Sequence, residues 1–135
     1  SKFAEGARFM KTIMLIDDED LVVKSVEKLL RKEGYDVITY RNGKDAIENI
    51  DKHDVHLIIC DIRMPGLSGV ETIKRIREIQ KNDKEKQVPE ILITGYADQN
   101  ANAEAEELKV SNYLYKPFDL RVLLAAIKKS LGEAN

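Results

Sequence analysis

Short runs of Ile, Leu and Val recur along this chain, and stretches with helical spacing lie between them. This alternation limits the possible folds more than any other feature. The runs are Thr12 to Ile16, followed by Asp17 and Asp18; Val37 to Tyr40; Leu57 to Cys60, followed by Asp61; Ile91 to Ile93, followed by Thr94; and Tyr113 to Tyr115, followed by Lys116. Apolar side chains at consecutive positions suit strands buried on both faces, and an intervening amphipathic helix supplies the crossover that parallel neighbours need. The pattern predicts an α/β fold, a doubly wound parallel sheet with helices on both sides.

The helix signals are local. Val22, Val26, Leu29 and Leu30 share one face of a first helix that stops at Gly34. Asn42 is placed to cap a short second helix carrying Ala46, Ile47 and Ile50. Ser68 and Glu71 have capping-box spacing and open a third, with Val70, Ile73, Ile76 and Ile79 expected to point inward. Asp119 caps the last, whose Leu120, Leu123, Leu124, Ile127 and Leu131 line one side; Lys128 and Lys129 sit in its last turn and Gly132 closes it. Residues 82–90 are charged and read as a solvated connection. The fourth helix, Asp98 to Lys109, is rich in alanine but has little to bury, so weak docking is expected and it is a natural moving part.

A chain of 135 residues forms one core without staples. Residues 10–132 read as that domain, with no second domain in this chain; residues 1–9 have no period and read as an N-terminal extension, a linker or a cloning remnant. A net charge of −2, with 22 basic against 24 acidic residues and no basic run, argues against direct contact with nucleic acid. No apolar stretch approaches the length of a membrane span or a signal peptide. One cysteine, Cys60, excludes an internal disulfide, reads as core filler and fits a reducing, cytoplasmic setting.

In a parallel sheet the carboxyl ends of the strands share one edge, which is where open α/β sheets bind ligands. Asp17, Asp18, Asp61, Thr94 and Lys116 therefore fall together. Three aspartates need counter-charge, and one divalent cation with Lys116 supplies it. Hard oxygen ligands in a wet cleft suit Mg²⁺. Asp61 is then a carboxylate nucleophile able to form an aspartyl phosphate. Lys116 and Thr94 would hold the phosphoryl oxygens, and phosphoryl transfer needs little beyond such positioning and charge.

Asp17-Asp18, Asp61-x-x-Met64-Pro65-Gly66, Thr94-Gly95 and Lys116-Pro117-Phe118 together resemble the receiver domain of two-component response regulators, the CheY-like domain, over Met10 to Leu131. The resemblance implies strand order 2-1-3-4-5 with five helices, a flavodoxin-like arrangement. It implies Mg²⁺, or Mn²⁺, held directly by Asp18, Asp61 and the Arg63 backbone carbonyl, with Asp17 acting largely through water. It also implies a cis Lys116–Pro117 bond, and a switch in which Tyr113 turns inward as Thr94 moves toward the phosphoryl group. Arg63 and Tyr96 would border the path of hydrolytic water and set the lifetime of the phosphoryl group. The implied donor is a sensor histidine kinase or a phosphotransfer protein. The implied target is a downstream protein, an output domain or a phosphorylation-dependent dimer, met over the face of the fourth helix, fifth strand and fifth helix. Such a domain catalyses only its own phosphorylation and autodephosphorylation and is not a turnover enzyme.

Simpler readings exist for each residue. Asp17 and Asp18 suit a helix N-terminus, Glu19 and Asp20 read as solvated first-turn acids, Tyr113 suits strand packing, and His53 and His56 read as surface or turn residues. Asp18-Glu19-Asp20-Leu21-Val22 also resembles the nucleophile motif of haloacid-dehalogenase-type phosphatases. That family needs a late acidic pair, and after Lys116 only Asp119 and Glu133 remain. A receiver-like scaffold that binds partners without phosphorylation would have no use for all five site residues.

Overall fold

The computed structural model describes residues 10–95 and 99–134. Five strands, β1 (Thr12–Ile16), β2 (Asp36–Tyr40), β3 (Leu57–Asp61), β4 (Glu90–Gly95) and β5 (Asn112–Lys116), pair in parallel in the order β2-β1-β3-β4-β5. The intervening helices are α1 (Asp20–Lys32), α2 (Gly43–Asn49), α3 (Gly69–Gln80), α4 (Gln99–Leu108) and α5 (Leu120–Ser130), with short 3₁₀ turns at Ile50–Lys52 and Lys84–Lys86. The α/β class, the strand order and the five helices are those expected. No helix among the described residues is long and apolar enough to cross a membrane.

Side chains alternate across a strand, so each central strand feeds two cores. Ile13, Leu15, Ile59 and Ile93 pack against Val23, Val26 and Leu30 of α1 and Leu123 and Ile127 of α5. Met14, Ile16, Cys60 and Leu92 face the other way, onto Ala46, Val70, Ile73, Ile76 and Leu108. The helix ends follow their local chemistry. Asn42 accepts from the Asp45 N–H, Ser68 and Glu71 form both bonds of a capping box, and Asp119 accepts from the Arg121 N–H. Gly34, at φ +91°, turns the chain out of α1 in the left-handed region that glycine enters without penalty.

Several local expectations are corrected. Ile79 is 43% exposed rather than inward-facing. Six residues beyond Ile73 a helix has turned roughly 120° off that face, and Gln80 takes the buried place. On α1 the buried stripe runs through Val23, with Val22 only packed at its edge. Glu90 is not part of a solvated connection; it is buried, opens β4 and pairs with Arg77. His53 and His56 also have definite partners: His53 Nε2 meets the Tyr40 hydroxyl at 2.9 Å, and His56 Nδ1 accepts from the Thr12 N–H at 3.0 Å.

Helix α4 buries little. Of its described side chains only Ala105 and Leu108 are in the core. Two polar ties supplement them: the Tyr113 hydroxyl donates to the Asn102 carbonyl at 3.1 Å, and Arg77 Nη1 donates to the Leu108 carbonyl at 2.7 Å.

Candidate functional site

Strand register assembles the site. Ile16 pairs with Cys60, so Asp17 and Asp61 each lie one residue past that pair on adjoining strands. Asp61 pairs with Ile93, which puts Thr94 one residue beyond, and Gly95 pairs with Lys116. Four of the five expected residues are thereby gathered by the backbone alone. The Lys116–Pro117 bond is cis.

Asp61 is 3% exposed and its backbone is pressed against the start of α3. The Gly69 N–H donates to the Ile62 carbonyl at 2.8 Å, and a Cβ on Gly69 would lie 2.2 Å from the Asp61 carbonyl oxygen. Only glycine fits there. That requirement was not anticipated, although a glycine directly after a capping serine was the available signal.

The charges then meet. Lys116 Nζ lies 3.1 Å from Asp61 Oδ2 and 3.4 Å from Asp17 Oδ2, and it also contacts Glu19 Oε1. Burial raises the Asp61 carboxyl to about 6, the Asp17 charge adds to this, and Lys116 and the Arg63 N–H offset part of it. Burial also raises the Asp17 carboxyl, against the hydrogen bond from the Glu19 N–H and the charge of Lys116. Burial would lower the Lys116 ammonium, but the bond to Glu19 and the charges of Asp61 and Asp17 outweigh it and hold the amine firmly protonated.

Carboxylate oxygens of Asp17, Glu19 and Asp61 all lie within 4.8 Å of one another, a spacing that suits one cation. Asp17 is fully buried, and its Oδ2 accepts no hydrogen bond. An ionised buried oxygen without a donor is costly, and a hard divalent cation matches that need. The residues present fit such an ion. Glu19, read from the sequence as a solvated acid, belongs to this cluster, whereas Asp18 is exposed and its carboxylate is not one of the three. Glu19 escaped notice because its role depends on a lysine almost a hundred positions away.

Thr94 is fully buried, and its hydroxyl donates to the Gly95 carbonyl at 3.2 Å. The Arg63 N–H donates to Asp61 Oδ1 at 3.4 Å. The Arg63 side chain is exposed and lines a cleft of about 580 Å³ with Met64, Pro65, Asn100 and Glu104. Tyr113 is half-buried between α4 and Tyr115, the two rings 5.7 Å apart. Tyr96, expected to tune the lifetime of the phosphoryl group, lies outside the described residues.

Comparison with known proteins adds a family. The response regulator receiver domain matches residues 13–128. The transcriptional regulatory protein CrdR of Helicobacter pylori is 38% identical over 91% of the chain, which spans only 56% of that protein's length. A CheY-like receiver domain from Methanospirillum hungatei has the same fold with a TM-score of 0.82 and 25% identity, covering 92% of this chain and 95% of that one. The Thermotoga maritima response regulator TrrA, solved in complex with Mg²⁺-BeF, is 31% identical with a TM-score of 0.76, covering 90% of this chain and all of that one (100%).

Proposed function

Because the chain belongs to the response regulator receiver domain family, we propose that Asp61 accepts a phosphoryl group from the phosphohistidine of a sensor kinase or phosphotransfer protein. One observation carries this reading: a buried carboxylate at the end of a central strand, bonded to a lysine and set beside a second buried carboxylate with an orphan oxygen. An oxygen of Asp61 attacks phosphorus as the bond to the donor nitrogen breaks, and the departing imidazole takes up a proton as the acyl phosphate forms. Lys116 then holds a phosphoryl oxygen, and the Thr94 hydroxyl, released from Gly95, donates to another. Mg²⁺ or Mn²⁺, when bound, neutralises the carboxylates and the phosphoryl oxygens. Asp17 and Asp61 would hold it, with Asp18 and the Arg63 carbonyl assigned on family likeness. That the similar TrrA was solved in complex with Mg²⁺-BeF supports the choice of ion.

The domain is a switch and not a turnover enzyme; it promotes only its own phosphorylation and autodephosphorylation. Thr94 and Tyr113 couple the site to α4, whose described core side chains are only Ala105 and Leu108, and shift an existing equilibrium. The face of α4, β5 and α5 then meets a downstream protein, an output domain or a second copy, in the cytoplasm and without direct contact with nucleic acid or membrane. A haloacid-dehalogenase-type reading would need Asp18 as nucleophile, and Asp18 is exposed and outside the acid cluster.

Acetyl phosphate with Mg²⁺ tests the assignment. A receiver gains one hydroxylamine-sensitive phosphoryl group, which Asp61→Asn abolishes. Steady phosphate release through Asp18, or labelling of Asp61→Asn at the wild-type rate, would sink it.

A further inference from the structure

We propose that Glu19 is a positioning residue, a clasp that holds Lys116 before phosphorylation and must let go for the amine to reach the phosphoryl group. The proposal rests on the phosphoacceptor reading of Asp61 and concerns what that reading leaves unexplained.

Glu19 is the N-cap of α1, yet its side chain makes no capping bond. Its backbone is tied at both ends: the N–H donates to Asp17 Oδ1 at 2.8 Å, and the carbonyl accepts from the Val23 N–H at 3.0 Å. The side chain leaves the helix end and closes on Lys116 Nζ. An ammonium has only three N–H donors. Here two of them go to Glu19 Oε1 and Asp61 Oδ2, and the Asp17 carboxylate stands within ion-pair distance at 3.4 Å, so Glu19 occupies a donor that a phosphoryl oxygen would need.

Exposure decides which partner yields. The Asp17 and Asp61 side chains are 0% and 4% exposed, whereas that of Glu19 is 57% exposed. Transfer to Asp61 moves negative charge outward onto the phosphoryl oxygens, toward the side where Glu19 stands. Asp17 lies at the bottom of the site, and water can take over the Glu19 carboxylate without leaving a buried charge. Glu19 and the phosphoryl oxygens thus compete for the same amine, and breaking an exposed pair costs little. The clasp weakens the hold on a phosphoryl group without blocking it.

Beryllofluoride, a mimic of the phosphoryl group, measures this competition at saturating Mg²⁺. Glu19→Gln should bind it about 2- to 5-fold more tightly than wild type, the range an exposed ion pair supports. Glu19→Asp keeps the charge but is one methylene shorter. At high salt, where long-range repulsion is screened, it should match Glu19→Gln. A clasp requires that equality; an effect of charge alone leaves Glu19→Asp like wild type and overturns the proposal. Weaker Mg²⁺ binding with unchanged beryllofluoride affinity would also overturn it, making Glu19 a metal ligand. If wild type binds beryllofluoride and the variants gain nothing, the clasp fails and the phosphoacceptor reading stands. No binding by wild type removes both.

Discussion

Arg77 and Glu90 are joined by two hydrogen bonds, Nε to Oε2 at 2.9 Å and Nη2 to Oε1 at 2.6 Å. The third nitrogen of the same guanidinium donates to the Leu108 carbonyl, the last residue of α4. One side chain on α3 therefore neutralises a buried acid at the start of β4 and pins the far end of α4. That end is held by a charged donor, while the half nearer Thr94 is tied by the neutral Tyr113 hydroxyl at the Asn102 carbonyl. Leu108 is therefore the more strongly anchored end of α4.

Arg77→Ala should leave the Glu90 carboxylate buried without its donors. The expected loss is roughly 1–3 kcal/mol, the cost of an unsatisfied buried polar group. Urea unfolding measures it, and amide exchange should quicken at the C-terminal turn of α4. A variant as stable as wild type, with unchanged exchange there, would show that the pin carries no weight.

Asp61 makes the metal-free protein sensitive to pH. Its carboxyl titrates at about 6 when folded, against an ordinary value of 3.8. Between these values the folded chain keeps a proton that the unfolded chain has released, so its contribution to stability falls as pH rises from about 4 to about 6 and stays low above. Asp61→Asn removes that step. Without metal it should exceed wild type by on the order of 2 kcal/mol at pH 7 and match it near pH 4. Mg²⁺ should shrink the gap by stabilising only the wild type. A gap that widens toward acid would refute the sign.

Gly69→Ala tests how closely α3 is seated on the acceptor strand. Inside a helix, alanine in place of glycine would ordinarily gain about 1 kcal/mol. Here the new methyl would meet backbone atoms of Asp61 and Ile62 at 2.2–2.8 Å, and backbone cannot rotate aside. The net effect should be a loss of roughly 1–3 kcal/mol, with slower phosphorylation as Asp61 shifts. A stabilised variant would mean that the helix start is not so constrained.

The lifetime of the phosphoryl group should depend on Arg63 and Tyr96. Arg63 lines the cleft beside the acceptor loop, and neither residue has a carboxylate or amide that would orient an attacking water. Slow autodephosphorylation is expected. Arg63→Asn with Tyr96→Ala should lose phosphate several-fold faster, near a tenfold change if the barrier falls by about 1.4 kcal/mol. Decay of the double variant at the wild-type rate would end the shielding argument.

Much of this protein is written locally. Runs such as Leu57 to Cys60, the caps at Asn42, Ser68 and Asp119, and the stop at Gly34 act through neighbours within a few positions, so periodicity and turn chemistry disclose the strands, the helices and the α/β class. Because parallel strands put their carboxyl ends on one edge, the sequence alone places Asp17, Asp61, Thr94 and Lys116 together. The inward face of α3 was misjudged at Ile79, since which turn of a helix is buried depends on what packs beside it. Glu90 looked solvated until Arg77, on another element, was seen to reach it. Glu19 looked like an ordinary first-turn acid, and Lys116, on the far side of the sheet order, gave it a partner. Charges and single glycines act through space, over distances the chain crosses only after folding. The tertiary structure alone decided which acid stands beside which base.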